Sequence, residues 1–193
     1  MNQFPLKVIR RWQWALWVAL PALMIALIGE SAVELLRYDR GAILAGEWWR
    51  LISGHWVHLN IMHLLLNLAG LLLVAILFDR ALPIRSWLLL VLLSAPLVSI
   101  ALLQFDRELI HYVGLSGLLH GLFVAGALVS IGRMRVESMG LLLAIAAKLA
   151  WEQFNGATPG TAELVGGRVI VNAHLYGAIS GLLLIGLLRR QTR

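Results

Sequence analysis

Six apolar runs, over residues 12–28, 59–78, 87–103, 112–132, 138–151 and 169–188, alternate with short polar stretches along the chain. Most come close to the roughly 17 to 25 residues that a helix needs to cross a bilayer. The pattern therefore predicts an all-α membrane protein, a single membrane domain over residues 1–193 with six transmembrane helices. The first run follows Lys7, Arg10 and Arg11 and imitates a signal peptide, but no small-x-small cleavage site follows and further spans come after it, so it is read as a retained helix. The fifth is the shortest. Lys148 interrupts it and Glu152 lies one turn later, which reads as an interfacial lysine laying its stem along apolar surface beside an i,i+4 partner.

Composition strengthens the membrane reading: 60% of residues are hydrophobic and 13% are charged. The mean hydropathy is +0.83, and a soluble domain carries more charge than this. With no cysteine in the chain, disulfides and thiolate metal or redox sites are excluded. Any chemistry falls to Ser, His, Asn and carboxylates.

Charge orients the spans. An even number of crossings puts both termini on one side, and that side collects Lys7, Arg10, Arg11, Arg80, Arg85, Arg133, Arg135, Arg189, Arg190 and Arg193 against Asp79 and Glu137. The other side holds Arg37, Arg40, Arg50, Arg107 and Arg168 against Glu30, Glu34, Asp39, Glu47, Asp106, Glu108, Glu152 and Glu163. Basic loops stay in the cytoplasm, so both termini are expected there. The pI near 10.8 then reflects topology, and no folded basic surface exists to carry nucleic acid.

Within the apolar runs, polar residues are costly and mark candidate chemistry. Gly114-Leu-Ser-Gly117 places Ser116 between glycines, and Ala173-His174 places a histidine at the start of the last run. A serine and a histidine so placed are a nucleophile and its general base. Each follows an outer loop, at 104–111 and 154–168, so at ~1.5 Å per residue both lie within about 10 Å of the outer surface. The loop over 155–167 is rich in glycine, a composition that suits either a mobile lid or an ordinary connector. Gly117 and Gly121 are spaced like Gly177 and Gly181, giving each helix a small-xxx-small face on which another backbone can come close. In the second run His63 and Asn67 are i,i+4 neighbours, with His58 and Asn60 nearby, and two donors aimed one way suit an oxyanion hole. Polar cross-linking between helices is the competing reading for that span. A metal site is disfavoured, since His-Glu-x-x-His is missing and no carboxylate lies in these runs. No cofactor is implied.

Taken together, Gly114-Leu-Ser-Gly117, His58-x4-His63-x3-Asn67, Ala173-His174-x2-Gly177-x3-Gly181 and Glu47-Trp48-Trp49-Arg50 resemble the rhomboid family of intramembrane serine proteases, in the family's order and over most of the chain. The short chain and the stretches His58-Leu-Asn and Gly114-Leu-Ser-Gly-Leu-Leu-His-Gly121 are similar to the rhombosortase branch. The resemblance implies a six-helix rhomboid-like bundle in a bacterial inner membrane, opening its site to the periplasmic side. It implies Ser116 as nucleophile and His174 as base; because no Asp or Glu lies in an apolar run, a dyad is expected and not a triad. The Ser116 N–H with the His63 and Asn67 side chains would hold the oxyanion. Gly114 and Gly117 would permit the tight backbone, Gly177 and Gly181 the close helix, and Trp49 and Arg50 a structural loop. Many bacterial rhomboids carry an aromatic four residues after the nucleophile, where this chain has His120, so the role of that residue is open.

The branch implies substrates that are exported proteins with a C-terminal Gly-Gly motif, one transmembrane helix and a short basic tail. Glycine makes such a helix cheaper to unwind before backbone attack. Two rivals belong to other classes. A non-catalytic relative that binds membrane helices as a chaperone or trafficking factor has no need of an intact Ser and His. A transporter lined by His58, His63, His120 and His174 would show repeats or paired charges across spans, and neither is found.

Overall fold

A computed structural model describes residues 4–191, with side chains over 12–187. The basic side chains of Lys7, Arg10, Arg11, Arg189, Arg190 and Arg193, counted above for orientation, lie outside the described residues. In order the elements are α1 (Phe4–Ile28), α2 (Glu30–Leu36), β1 (Tyr38–Asp39), α3 (Arg40–Leu44), α4 (Arg50–Ser53), a 3-10 turn (Gly54–Trp56), α5 (Ile61–Leu77), α6 (Ile84–Phe105), β2 (His111–Tyr112), α7 (Ser116–Ser130), α8 (Arg135–Asn155), α9 (Thr161–Val165) and α10 (Val171–Gln191). The fold is mostly helical, and its six long helices, α1, α5, α6, α7, α8 and α10, occupy the six apolar runs.

Of these, Ile84–Phe105 is by itself long and apolar enough to cross a membrane, and Arg50–Trp56 with Ile61–Leu77 makes a second if that pair, bent by 95°, is one span. Trp12–Ile28, Ser116–Ser130 and Val171–Leu187 are shorter apolar helices. Both the inside and the outside of the bundle are hydrophobic. Trp17, Leu27, Leu65, Leu72, Leu92 and Leu183 are exposed, while Trp14 stacks on Trp87 with ring centroids 4.8 Å apart inside the core. Apolar exposure spread over several helices is what a hydrocarbon solvent allows and water penalises.

Helix α7 lies at the centre of the bundle. It runs from Ser116 to Ser130, shorter than the 112–132 run, because Gly114 adopts φ 113°, a left-handed conformation that ends regular structure just before the helix. Small residues then let neighbours close on it: a Cβ on Gly121 would come within 2.6 Å of the Gly177 carbonyl oxygen. One on Gly177 or Gly181 would overlap the carbonyls of Gly117 and Gly121. So α10 lies against α7 with backbone on backbone, which is the contact that brings 174 beside 116.

Ahead of α7, the chain is pinned from several sides. Strands β1 and β2 pair antiparallel, Tyr38 opposite Tyr112 and Asp39 opposite His111. Asp39 caps α3 by accepting from the Ala42 N–H at 3.0 Å, and its other oxygen meets His111 Nε2 at 3.0 Å. The cap bond, reinforced by His111 and opposed by partial burial, holds the Asp39 carboxyl below its ordinary range. Arg50 is buried and donates to Glu47 at 2.6 Å and to the carbonyls of Glu34 and Arg37 at 2.8 and 2.9 Å. It thus closes the long connection between α1 and α5 on itself.

Candidate active site

Ser116 is the first residue of α7, where backbone N–H groups have no partner within the helix and the helix dipole favours negative charge. Across the α7–α10 contact, Ser116 Oγ lies 3.0 Å from His174 Nε2. His174 is buried, and its Nδ1 lies 2.9 Å from Glu152 Oε2 on α8. A carboxylate only accepts, so Nδ1 carries the proton and the Nε2 lone pair faces the serine hydroxyl.

The expectation of an isolated Ser–His pair is therefore corrected. It rested on the lack of an acid in the apolar runs, but Glu152 follows immediately on the fifth, and its side chain turns inward and is buried at 3% exposure. The reading of Lys148 and Glu152 as a purely interfacial pair is corrected with it. Lys148 Nζ does meet Glu152 Oε1, at 2.5 Å, but the second carboxylate oxygen is committed to His174.

His120 lies one turn along α7 from Ser116. Its Nδ1–H donates to the Ser116 carbonyl at 2.7 Å, and its ring stacks on His174 with centroids 4.3 Å apart and an interplanar angle of 18°. His120, Glu152 and His174 each offer a ligand-type atom within 4.8 Å of the others, the donor set of a metal site. Both nitrogens of His174 and Nδ1 of His120 are taken up in the hydrogen bonds just given.

On the other side of Ser116, His63 and Asn67 project from α5. His63 Nδ1 accepts from the Leu59 N–H at 3.5 Å, a weak bond that leaves Nε2 as the protonated nitrogen. A Cβ on Gly114 would fall 2.6 Å from that Nε2, so only glycine admits the His63 ring beside the turn before Ser116, while Asn67 Nδ2, 3.8 Å from the same position, is at ordinary contact distance. Asn67 uses one of its N–H bonds on the His63 carbonyl at 3.0 Å. His58 is placed differently: its Nδ1–H donates to the Trp56 carbonyl at 3.1 Å and its ring meets His63 edge to face at 4.9 Å, so it packs against His63 and does not line the cavity. Trp49 is exposed and donates to the Leu35 carbonyl at 3.3 Å; with Arg50 it belongs to the closed connection between α1 and α5 and makes no contact with Ser116.

Sequence reasoning passed over His55 and Tyr112. Fully buried His55 bonds the Ala95 carbonyl at 2.9 Å and Ser99 Oγ at 3.0 Å, and Tyr112 OH, 3.4 Å from His55 Nδ1, donates to the Gly114 carbonyl at 2.9 Å. This chain fixes the turn that presents Ser116. The one clue was a histidine beside a glycine in Gly54-His55, too common a pair to single out.

Ser116, His174, His63, Asn67 and Glu152 all face one cavity of about 870 Å³. Helices α5 and α8 supply opposite walls through Leu66 and Leu73 on one side and Leu141 and Ile145 on the other. The 155–167 loop contributes a wall as well, with Thr158, Thr161 and Val165. It is tied down by α9 and by Asn60 Nδ2, which donates to the Leu164 carbonyl at 3.1 Å.

A helical bundle with a half-buried serine and a buried histidine in contact across two glycine-faced helices defines a class, and a comparison of the sequence places the chain within it. The family model for the rhomboid domain matches residues 45–191, and the chain belongs to the rhomboid family. The domain and the apolar helices together mark a membrane protein. No curated protein matches the chain at a significant level of similarity.

Proposed function

We propose that this protein is an intramembrane serine endopeptidase whose six long helices cross the bilayer, with both termini in the cytoplasm and the cavity open to the periplasmic side. The observation that carries the reading is the 3.0 Å contact between Ser116 Oγ and His174 Nε2 at the wall of the cavity. It lies within the range for a nucleophile and its base.

In this mechanism a substrate helix unwinds between α5 and α8 and presents a peptide carbonyl to Ser116. Oγ forms a bond to the carbonyl carbon as its proton passes to His174 Nε2. The Ser116 N–H, His63 Nε2–H and Asn67 Nδ2–H stabilise the oxyanion, a kind of donor worth about 100- to 1,000-fold in rate each. Collapse expels the amine, which takes the proton from His174 and leaves an acyl-enzyme that water hydrolyses by the same route in reverse.

The substrate class follows from the rhombosortase-like stretches 58–60 and 114–121: exported proteins anchored by a C-terminal helix, cut near a Gly-Gly motif. The test is cleavage of a co-expressed reporter bearing Gly-Gly, a transmembrane helix and a basic tail, by wild type, Ser116→Ala and His174→Ala. Cleavage by wild type alone supports both the peptidase and the branch. Cleavage only of a generic rhomboid substrate removes the branch, and undiminished cleavage by Ser116→Ala removes the peptidase reading.

A further inference from the structure

His174 is held at both ring nitrogens, and the group on the far side from Ser116 is the buried carboxylate of Glu152. Taking an ionised side chain out of water is costly unless its oxygens are paired. Here both are: Oε2 meets His174 Nδ1 at 2.9 Å, and Oε1 meets Lys148 Nζ at 2.5 Å. Lys148 sits one turn earlier on the same helix, with its side chain partly exposed at 41%. The arrangement joins three helices, with Ser116 on α7, His174 on α10 and the ion pair on α8.

We propose that Glu152 is a positioning residue that fixes the tautomer and orientation of His174, and that Lys148, by holding the other carboxylate oxygen, fixes the orientation of the Glu152 side chain. The proposal rests on the serine-peptidase reading. With Oε2 able only to accept, the hydrogen of neutral His174 is confined to Nδ1 and Nε2 stays free to take the Ser116 proton. Once that proton has arrived, the imidazolium charge forms against a carboxylate in a site sheltered from water. The proton goes on to the leaving amine, and Glu152 stays ionised throughout.

A purely structural ion pair would also account for the contacts, and the Lys148 bond separates the two. In Glu152→Gln the ammonium of Lys148 requires the amide oxygen, which turns the amide NH2 toward His174 Nδ1. That nitrogen must then accept, the hydrogen moves to Nε2, and the base is in the wrong tautomer. Removing Lys148 as well frees the amide to turn its oxygen back to Nδ1–H.

The experiment measures kcat and KM for reporter cleavage, fluorophosphonate labelling of Ser116 and thermal stability in detergent. The proteins are wild type, Ser116→Ala, Glu152→Gln, and the double variant Lys148→Met/Glu152→Gln. Glu152→Gln is expected to lose up to about 10,000-fold in kcat, as the wrong tautomer does in serine proteases, with KM within about threefold of wild type. The double variant is expected to be at least about tenfold faster than Glu152→Gln. A Glu152→Gln enzyme with wild-type kcat, or a double variant no faster than it, overturns the proposal. If Glu152→Gln does not fold, Lys148→Met/Glu152→Gln is compared with Lys148→Met/Glu152→Leu, both uncharged at these positions; the amide variant is expected to be the faster, and equal kcat values overturn the proposal. Labelling of Ser116 in wild type reports on the peptidase reading separately, so its absence removes that reading together with the proposal, whereas labelling with an indifferent Glu152→Gln removes the proposal alone.

Discussion

Gly177 packs so closely beneath the carbonyl of Gly117 that a methyl group at 177 would overlap that oxygen. The overlap is with backbone, which no side-chain rotation relieves. Because this contact brings α10 onto α7, it also sets the distance between His174 and Ser116. Gly177→Ala is therefore expected to destabilise the fold by about 1–3 kcal/mol, a fall in Tm of roughly 2–4 °C for each kcal/mol, and to lose activity beyond that. The pair of measurements is thermal denaturation in detergent and Ser116 labelling at a temperature where the variant is folded. Full labelling and an unchanged Tm would mean that the helices are not held this close.

Arg50 gives a prediction of the opposite kind. Its guanidinium is buried and bonded to Glu47 and to the Glu34 and Arg37 carbonyls, yet it has no contact with the cavity. Hydrogen bonds from a charged group are worth about 1.5–3 kcal/mol each, and truncation leaves their partners unpaired. Arg50→Ala should lower stability by several kcal/mol, while the fraction that remains folded labels at Ser116 with the wild-type rate constant. A reduced rate constant in folded protein would instead link the connection between α1 and α5 to the proposed chemistry.

The strand pair beside it carries a pH signature. Asp39 caps α3 and meets His111, and these bonds hold its carboxyl below the ordinary range. A carboxylate with a lowered folded pKa adds stability that is fully present above the unfolded value near ~3.9 and fades as pH falls toward the folded one. Asp39→Ala should cost about 0.5–2 kcal/mol at neutral pH, the usual worth of such a cap. The Tm gap from wild type should narrow at pH 3; a gap of equal size at pH 7 and pH 3 would show that the charge of Asp39 contributes nothing.

The positions of the six long helices were legible from hydrophobic runs alone, because a chain whose outside is as apolar as its inside marks its helices as apolar stretches, but their lengths were not: α8 covers Arg135–Asn155 where the run covers 138–151. Ser116, His174, His63 and Asn67 could be singled out for the same reason, as polar groups in costly places. Glu152 could not. At the very end of its run it has two readings, outward to the interface or inward to a partner, and only the packing of α8 against α7 and α10 turns it inward. A stricter application of the cost argument would have found it, since a Lys and a Glu one turn apart near a span are themselves ionisable groups at depth. His55 and Tyr112 were hidden differently, because their work is to bond carbonyls and hydroxyls far away in sequence, at Ala95, Ser99 and Gly114. The start of α7 was misread by four residues, because a glycine at positive φ ends regular structure without interrupting hydrophobicity.

His120 tests how much of the proposed catalytic arrangement depends on stacking. Its ring lies flat against that of His174, while Nδ1–H donates to the Ser116 carbonyl. An apolar aromatic at 120 keeps the stack and loses the hydrogen bond; alanine loses both and leaves a gap beside the imidazole. If the ring face is what holds His174 in line, His120→Phe should retain most of the wild-type kcat, and His120→Ala should fall by an amount still smaller than the loss in Ser116→Ala. If the bond to the carbonyl matters more, because it steadies the turn of α7 that carries the nucleophile, the two variants should fall together. Cleavage kinetics for both, with Tm measured alongside, decide between these. Complete loss in well-folded His120→Ala, equal to Ser116→Ala, would contradict a supporting role and make His120 indispensable to the reaction.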